Sequence, residues 1–65
     1  MSKKDYIAIA QAIKNQVTAA NGELNKTAKE AVIEHLSDLT DKMALIMQSD
    51  NANFDRQRFI KACGL

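Results

Sequence analysis

Apolar residues recur along most of this chain at intervals of three and four, the spacing that places side chains on one face of an α-helix. Near the N-terminus they form a stripe of six residues: Tyr6, Ile9, Ala10, Ile13, Val17 and Ala20. In the middle of the chain a second stripe contains Val32, Leu36, Leu39, Met43 and Ile46. Because no segment alternates like a strand for long enough to compete, the pattern predicts an all-α fold.

The first helix has a predicted start and a predicted stop. Ser2 is suited to be its N-cap, and Asp5 places an acid in the first turn, where the helix dipole favours negative charge. Asn21-Gly22 supplies residues that tolerate the left-handed conformation found just past helix ends. We therefore expect this helix over about residues 3–20.

The second helix is expected over about residues 28–48, because Thr27 and Glu30 have the spacing of a capping box. The segment NGELNK then joins the two helices as an antiparallel hairpin. Further residues widen the apolar arc of the second helix to roughly 160°: Ile33, Thr40, Ala44 and Met47. That arc is wider than one neighbouring helix covers, so a third helix or a second copy of the chain is needed to cover the remainder.

The C-terminal segment NFDRQRFIKACGL predicts a short third helix over about residues 56–63. Asp55 suits its N-cap, and Phe54 and Phe59 then have the spacing of a hydrophobic staple. Gly64 suits the left-handed residue past the other end. The expected architecture is a small three-helix domain, in which this helix folds across the hairpin.

The length of 65 residues predicts a single domain over residues 1–65 with a thin core, because such a chain buries only about 60% of its unfolded surface. Small domains usually add disulfides, a structural metal or a partner subunit. One cysteine, Cys63, and one histidine, His35, supply neither an intrachain disulfide nor four zinc ligands. No metal or cofactor is therefore predicted, a packed and inert Cys63 is expected, and a homo-oligomer is the expected supplement.

The charge of the chain is nearly balanced, with nine Lys and Arg residues against eight Asp and Glu residues, which argues against a strongly cationic nucleic-acid-binding protein. Any charged contact must come from a local cluster, and the candidate is Arg56, Arg58 and Lys61. Met43 and Met47 are further candidate interaction residues, because unbranched side chains suit an adaptable contact surface. No segment approaches the roughly 20 apolar residues of a membrane span, so no membrane association is expected.

Acidic residues line the face of the second helix opposite its apolar stripe: Glu30, Glu34, Asp38 and Asp41. This face is either solvated or a docking face for a basic partner. Carboxylates on an exposed helix face are poor acid–base catalysts, and His35 has no evident catalytic partner. The sequence therefore predicts a protein that is not an enzyme.

The two ends of the chain resemble a group of small uncharacterised proteins encoded by bacteriophages and prophages. The resemblance lies in the helix KKDYIAIAQAIK and, most specifically, in the C-terminal pattern F-D-R-x-R-F-x-x-A-C-G. It implies an origin in a phage genome and a location in the cytoplasm of the bacterial host, which also suits an unpaired thiol. It implies no activity. The group often has a proline where this chain has Ala52, so a looser approach to the last helix is expected.

The sequence leaves two functions open. The first is a non-enzymatic phage accessory protein that binds proteins, as a homo-oligomer and with a host or phage protein as a further partner. The alternative is a small nucleic-acid-binding protein that uses Arg56, Gln57 and Arg58 in the first turn of the last helix. A helix of about eight residues is short for a recognition helix, which disfavours the alternative.

Overall fold

The computed structural model describes residues 2–65, and this part of the chain contains three helices and no strand. The helices are α1 (Lys3–Glu23), α2 (Lys26–Asp50) and α3 (Arg56–Ala62). Only two residues separate α1 from α2, so the long helices form a hairpin, and α3 contacts both of them. The predicted all-α architecture of a hairpin with a short C-terminal helix is confirmed.

The start of α1 is as predicted, but its end is not. The backbone N–H of Ser2 donates to Oδ2 of Asp5 at 3.0 Å, which is half of a capping box. The helix then continues through Asn21 and Gly22, and its last turn ends where the N–H of Leu24 donates to the carbonyl of Ala20. Glycine in a helix costs only about 1 kcal/mol relative to alanine, so Gly22 does not stop one that packs on its neighbours.

The start of α2 also lies upstream of the prediction. The side-chain oxygen of Asn25 accepts from the backbone N–H of Ala28 at 2.9 Å, so Asn25 is the N-cap and Thr27 lies inside the first turn. Asparagine and threonine are both good caps, and the upstream choice adds helical residues. The connection between the two helices is therefore Leu24-Asn25 instead of the whole NGELNK segment.

Both ends of α3 form as predicted. Oδ1 of Asp55 accepts from the N–H of Arg58 at 3.0 Å, and the rings of Phe54 and Phe59 pack with centroids 5.5 Å apart. At the other end Gly64 has φ of 81°. Its N–H donates to the carbonyl of Lys61, and the N–H of the next residue donates to that of Ile60, which is the Schellman pattern.

The segment before α3 was expected to be loose, because this chain has Ala52 where the phage proteins it resembles often have a proline. Hydrogen bonds nevertheless close this segment into a turn. The N–H of Phe54 donates to the carbonyl of Asn51 at 2.9 Å, and the N–H of Asn53 donates to the side-chain oxygen of Asn51 at 3.1 Å. Asparagine favours such turns because its side chain bonds to the backbone two residues on. The expected looseness is therefore offset by a local turn.

The core lies where the three helices meet, and it contains small side chains from the long helices. Ala10 of α1 and Ala44 of α2 are buried together with Phe59 of α3 and with Cys63, the C-cap residue of α3. Helices approach closely where their side chains are small. Thr40 is also buried, and its hydroxyl has no hydrogen-bond partner within the described residues.

The face of α2 that turns into this core differs from the predicted one. Thr40, Ala44 and Met47 are buried, whereas Leu39 and Ile46 of the predicted central stripe are 53% and 69% exposed. Thr40, Ala44 and Met47 were expected to lie at the edge of the apolar arc of α2, and they are instead at the centre of its buried face. The reason is steric, since Ala44 and Thr40 allow α3 and α1 to approach α2 more closely than leucine and isoleucine would.

Substituting the two glycines with alanine should change stability in opposite directions. Gly22→Ala should raise the free energy of unfolding by about 0.5–1 kcal/mol, because the site is helical and a Cβ there would have no neighbour within 4 Å. Gly64→Ala should lower it by about 1–2 kcal/mol, because its φ is positive. Each kcal/mol corresponds to a melting-temperature change of about 4–8 °C in a domain of this size. Destabilisation by Gly22→Ala would mean that α1 stops at Asn21-Gly22 after all.

Candidate functional site

One side of the α1–α2 hairpin is covered by α3. A Cβ on Gly64 would lie 3.5 Å from Cγ of Lys14 and 3.9 Å from Cγ1 of Val17, so the end of α3 lies over this part of α1. Farther toward the start of α1, Ile7 and Ala10 line a groove together with residues of α3. These contacts fix the side of α1 that α3 covers.

The other side of the hairpin carries apolar residues and no covering helix within residues 2–65. Helical spacing places seven residues there: Ile9 and Ile13 of α1, with Val32, Leu36, Leu39, Met43 and Ile46 of α2. We call this set the open face. Leu39 and Ile46 are exposed, while the other five are half-buried, and three of these also pack against the core: Ile9, Ile13 and Met43.

The α2 part of the open face has the spacing of a coiled-coil seam. Its residues are separated by four, three, four and three positions, from Val32 to Ile46. This repeat keeps a seam directed at one neighbouring helix along its whole length. Within the domain, α1 covers only one flank of that seam, and the residues seven apart, Val32, Leu39 and Ile46, form its outer edge.

Charged residues border the open face on one side of α2. His35 and Lys42 lie nearest to the seam by helical spacing, and both are exposed. The acidic residues predicted from the sequence lie farther round the helix and are all exposed: Glu30, Glu34, Asp38 and Asp41. Leu45 lies among them and is 53% exposed, the same fraction as Leu39.

The residues predicted to form an interaction site belong to different parts of the structure. Arg56, Arg58 and Lys61 are exposed on α3, which covers one side of the hairpin. Met43 is half-buried at the edge of the open face and also packs against the core. Met47 is only 4% exposed and packs in the core. The expectation that Met47 supplies a contact surface is therefore corrected, because Met47 lies on the covered side of α2.

A groove of about 400 Å³, which the sequence analysis did not predict, lies between the start of α1 and α3. The rings of Tyr6, Phe54 and Phe59 line it, with Lys3 and Arg58 beside them. Tyr6 and Phe54 pack with ring centroids 4.6 Å apart, and the Tyr6 hydroxyl is buried without a hydrogen-bond partner within the described residues. The three aromatic residues of the chain were the available signal, and they supply much of the apolar surface of the groove.

Cys63 is fully buried at the C-cap of α3, as expected from its spacing with Phe59. Burial raises the pKa of the Cys63 thiol above its ordinary value of 9.0. The thiolate is the nucleophilic form of cysteine, so a raised pKa and the lack of access both lower its reactivity. Within the described residues, no three His, Cys, Asp or Glu side chains are placed to share a metal ion.

No protein-family model, curated protein or solved structure matches the chain. Across residues 2–65 no helix combines the length and apolar character that crossing a bilayer requires.

The Cys63 thiol should react slowly with a thiol reagent in the native protein and rapidly in denaturant, and the labelling rate measures this. Because the folded pKa is raised, the folded state keeps this thiol neutral to higher pH than the unfolded state does. Its contribution to stability is present below the ordinary pKa of 9.0 and is lost as the pH rises through the raised value. Cys63→Ala should lack this alkaline loss and cost about 1 kcal/mol in packing. Fast native labelling would instead show an accessible thiol.

Proposed function

We propose that this chain is a small non-enzymatic accessory protein of phage type, which acts by binding proteins and does so as a homo-oligomer. The observation that supports this proposal is the exposure of Leu39 and Ile46 on the open face. Exposed aliphatic side chains that lie together on one face of a helix are candidates for a protein contact. The resemblance of the C-terminal stretch to phage proteins supports the bacterial cytoplasm as the place of action.

The shape of the open face favours a helical partner. The seam of α2 extends from Val32 to Ile46, which is about 21 Å at 1.5 Å per residue. A straight ridge with four-three spacing accepts the side chains of another helix between its own. The four acidic residues lie outside this ridge, so a partner need not bury them.

The basic cluster supports the nucleic-acid alternative less well. Arg56, Arg58 and Lys61 are exposed, but α3 has only seven residues. Such a cluster neutralises about two to four phosphates, so binding would weaken with salt at a log–log slope of roughly −2 to −4. Weak, salt-sensitive and sequence-independent binding is the most that this arrangement provides.

Replacing Leu39 with aspartate should abolish protein binding through the open face. Immobilised protein, exposed to bacterial lysate supplemented with its own purified chain, should capture at least one protein. Leu39→Asp should lower that capture more than about tenfold, since a charge buried without a partner costs over 1.4 kcal/mol. Leu45→Asp is the matched control, because Leu45 has the same exposure on the acidic side of α2 and should capture normally. Equal capture by all three proteins would refute the proposal.

Reversing the charge of the basic cluster should separate the two functions. Arg58→Glu combined with Lys61→Glu should leave the fold intact, because both side chains are exposed. Under the protein-binding proposal, the native chain gives no gel shift with duplex or single-stranded DNA at physiological salt and tens of micromolar protein. A submicromolar, salt-sensitive shift that the double variant removes would favour the nucleic-acid alternative.

A further inference from the structure

We infer that the partner on the open face is a second copy of the chain, and that the two copies place α2 antiparallel on α2 with Leu39 on the two-fold axis. This inference rests on the proposed function and names its partner. It predicts a bundle of four long helices, with an α3 on each outer side. Three features of the structure carry it: the exposed area, the symmetry of the seam and the side on which α3 packs.

The chain exposes more surface than a monomer of its mass usually does. Its accessible surface is 4797 Å², whereas a folded monomer of 7.2 kDa is expected to expose about 4100 Å². Its radius of gyration is 12.3 Å, against about 10.7 Å for a compact domain of this length. The excess of about 700 Å² reflects the elongated shape of the chain, 38 × 18 × 13 Å, and a second copy stacked along its length would make the particle more compact.

The seam of α2 is self-complementary about Leu39. Val32 lies seven residues before Leu39 and Ile46 lies seven residues after it. In an antiparallel pair centred on Leu39, each Val32 therefore faces the Ile46 of the second copy, and the two Leu39 side chains face each other. Every exposed residue of the seam then has an apolar neighbour.

The packing of α3 restricts how two hairpins can meet. Because α3 covers one side of each hairpin, the copies can stack only through their open faces. A two-fold axis parallel to the helices would place α2 of one copy on α1 of the other, where helical spacing brings the exposed polar residue Gln16 toward the seam. A two-fold axis perpendicular to the helices places α2 on α2 and seats the exposed Leu39 and Ile46 against apolar residues.

The charged flank of the seam also suits the antiparallel arrangement. In an antiparallel helix pair the same flank of each helix meets its own copy, and the flank of α2 beside the seam carries Lys42, with Asp38 next to it round the helix. With Leu39 on the axis, Lys42 of one copy differs in height by about 1.5 Å from His35 of the other copy and by about 3 Å from its Asp38, so Asp38 meets Lys42 from farther round the helix. Opposite charges on neighbouring flanks favour one orientation of a helix pair over the others.

The first test measures the mass of the native protein and of two variants by sedimentation equilibrium. At tens of micromolar the native chain and Leu45→Asp should both have twice the 7.2 kDa monomer mass. Leu39→Asp should be a monomer with its helical circular dichroism retained, because residue 39 is exposed in the single chain and needs no partner to fold. The melting temperature of the native chain should also rise with its concentration. A native monomer at this concentration would overturn the inference.

The second test locates the two-fold axis with single cysteines. Helices in contact lie about 8–10 Å apart, and their Cα atoms lie about 2.3 Å from the helix axis, so two facing Cα atoms are roughly 3.4–5.4 Å apart. The upper part of this range is within disulfide reach. Leu39→Cys should therefore form a covalent dimer on mild oxidation. Ile46→Cys alone should not, but a mixture of Ile46→Cys and Val32→Cys should link to a heterodimer.

Two controls and the remaining outcomes complete the design. Leu45→Cys is equally exposed, and it should link no more than chance collision gives; the native chain, whose Cys63 is buried, should not link at all. Efficient linking by Ile46→Cys alone would indicate a parallel dimer and refute the register. If the native chain is monomeric while Leu39→Asp still loses capture of a different protein, the inference and the homo-oligomeric state fail, and the protein-binding part of the proposed function stands. If the native chain is monomeric and Leu39→Asp captures proteins as well as the native chain does, both the inference and the proposed function fail.

Discussion

The close contact of α2 with α1 and α3 through Ala44 and Thr40 determines most of this structure. These two residues are almost completely buried, and their small size lets three helices share one core. Once they face inward, helical geometry turns Leu39 and Ile46 outward, because those residues lie about 100° and 120° from Thr40 round the helix. The open face is thus a geometric consequence of the core. Leu39 and Ile46 are exposed because Thr40 and Ala44 are buried.

Local signals in the sequence were enough to predict the start of α1 and both ends of α3. Asp55 and Gly64 each act through hydrogen bonds and dihedral angles within a few residues of themselves, so a reading of neighbouring residues finds them. Local signals also gave two wrong predictions, a stop of α1 at Asn21-Gly22 and a cap of α2 at Thr27. These are good stop and cap residues, but α1 continues through Asn21-Gly22, and Asn25, which is an equally good cap residue, accepts the capping hydrogen bond instead.

The inward face of α2 was harder to predict than its helical nature. Apolar spacing shows that a helix has a face to bury, but a three-four repeat does not say whether the neighbour is in the same chain. The apolar arc of α2 was predicted to be too wide for one neighbouring helix, and α2 contacts both α1 and α3. The predicted centre of that arc, Leu39, is nevertheless exposed. Met47 was misplaced for this reason. The groove beside Tyr6 depends on how the turn before α3 sets Phe54, which spacing alone cannot give.

The position of α3 on one side of the hairpin has a consequence for the size of any assembly. A two-helix layer that is apolar on both sides can add a further layer on each side, and a contact that repeats without closing produces filaments. Because α3 occupies one side through Phe59 and the buried Cys63, each chain has only one side left to offer. If two copies stack through that side, the assembly ends after two layers, because the seven-residue α3 already occupies the other side of each copy.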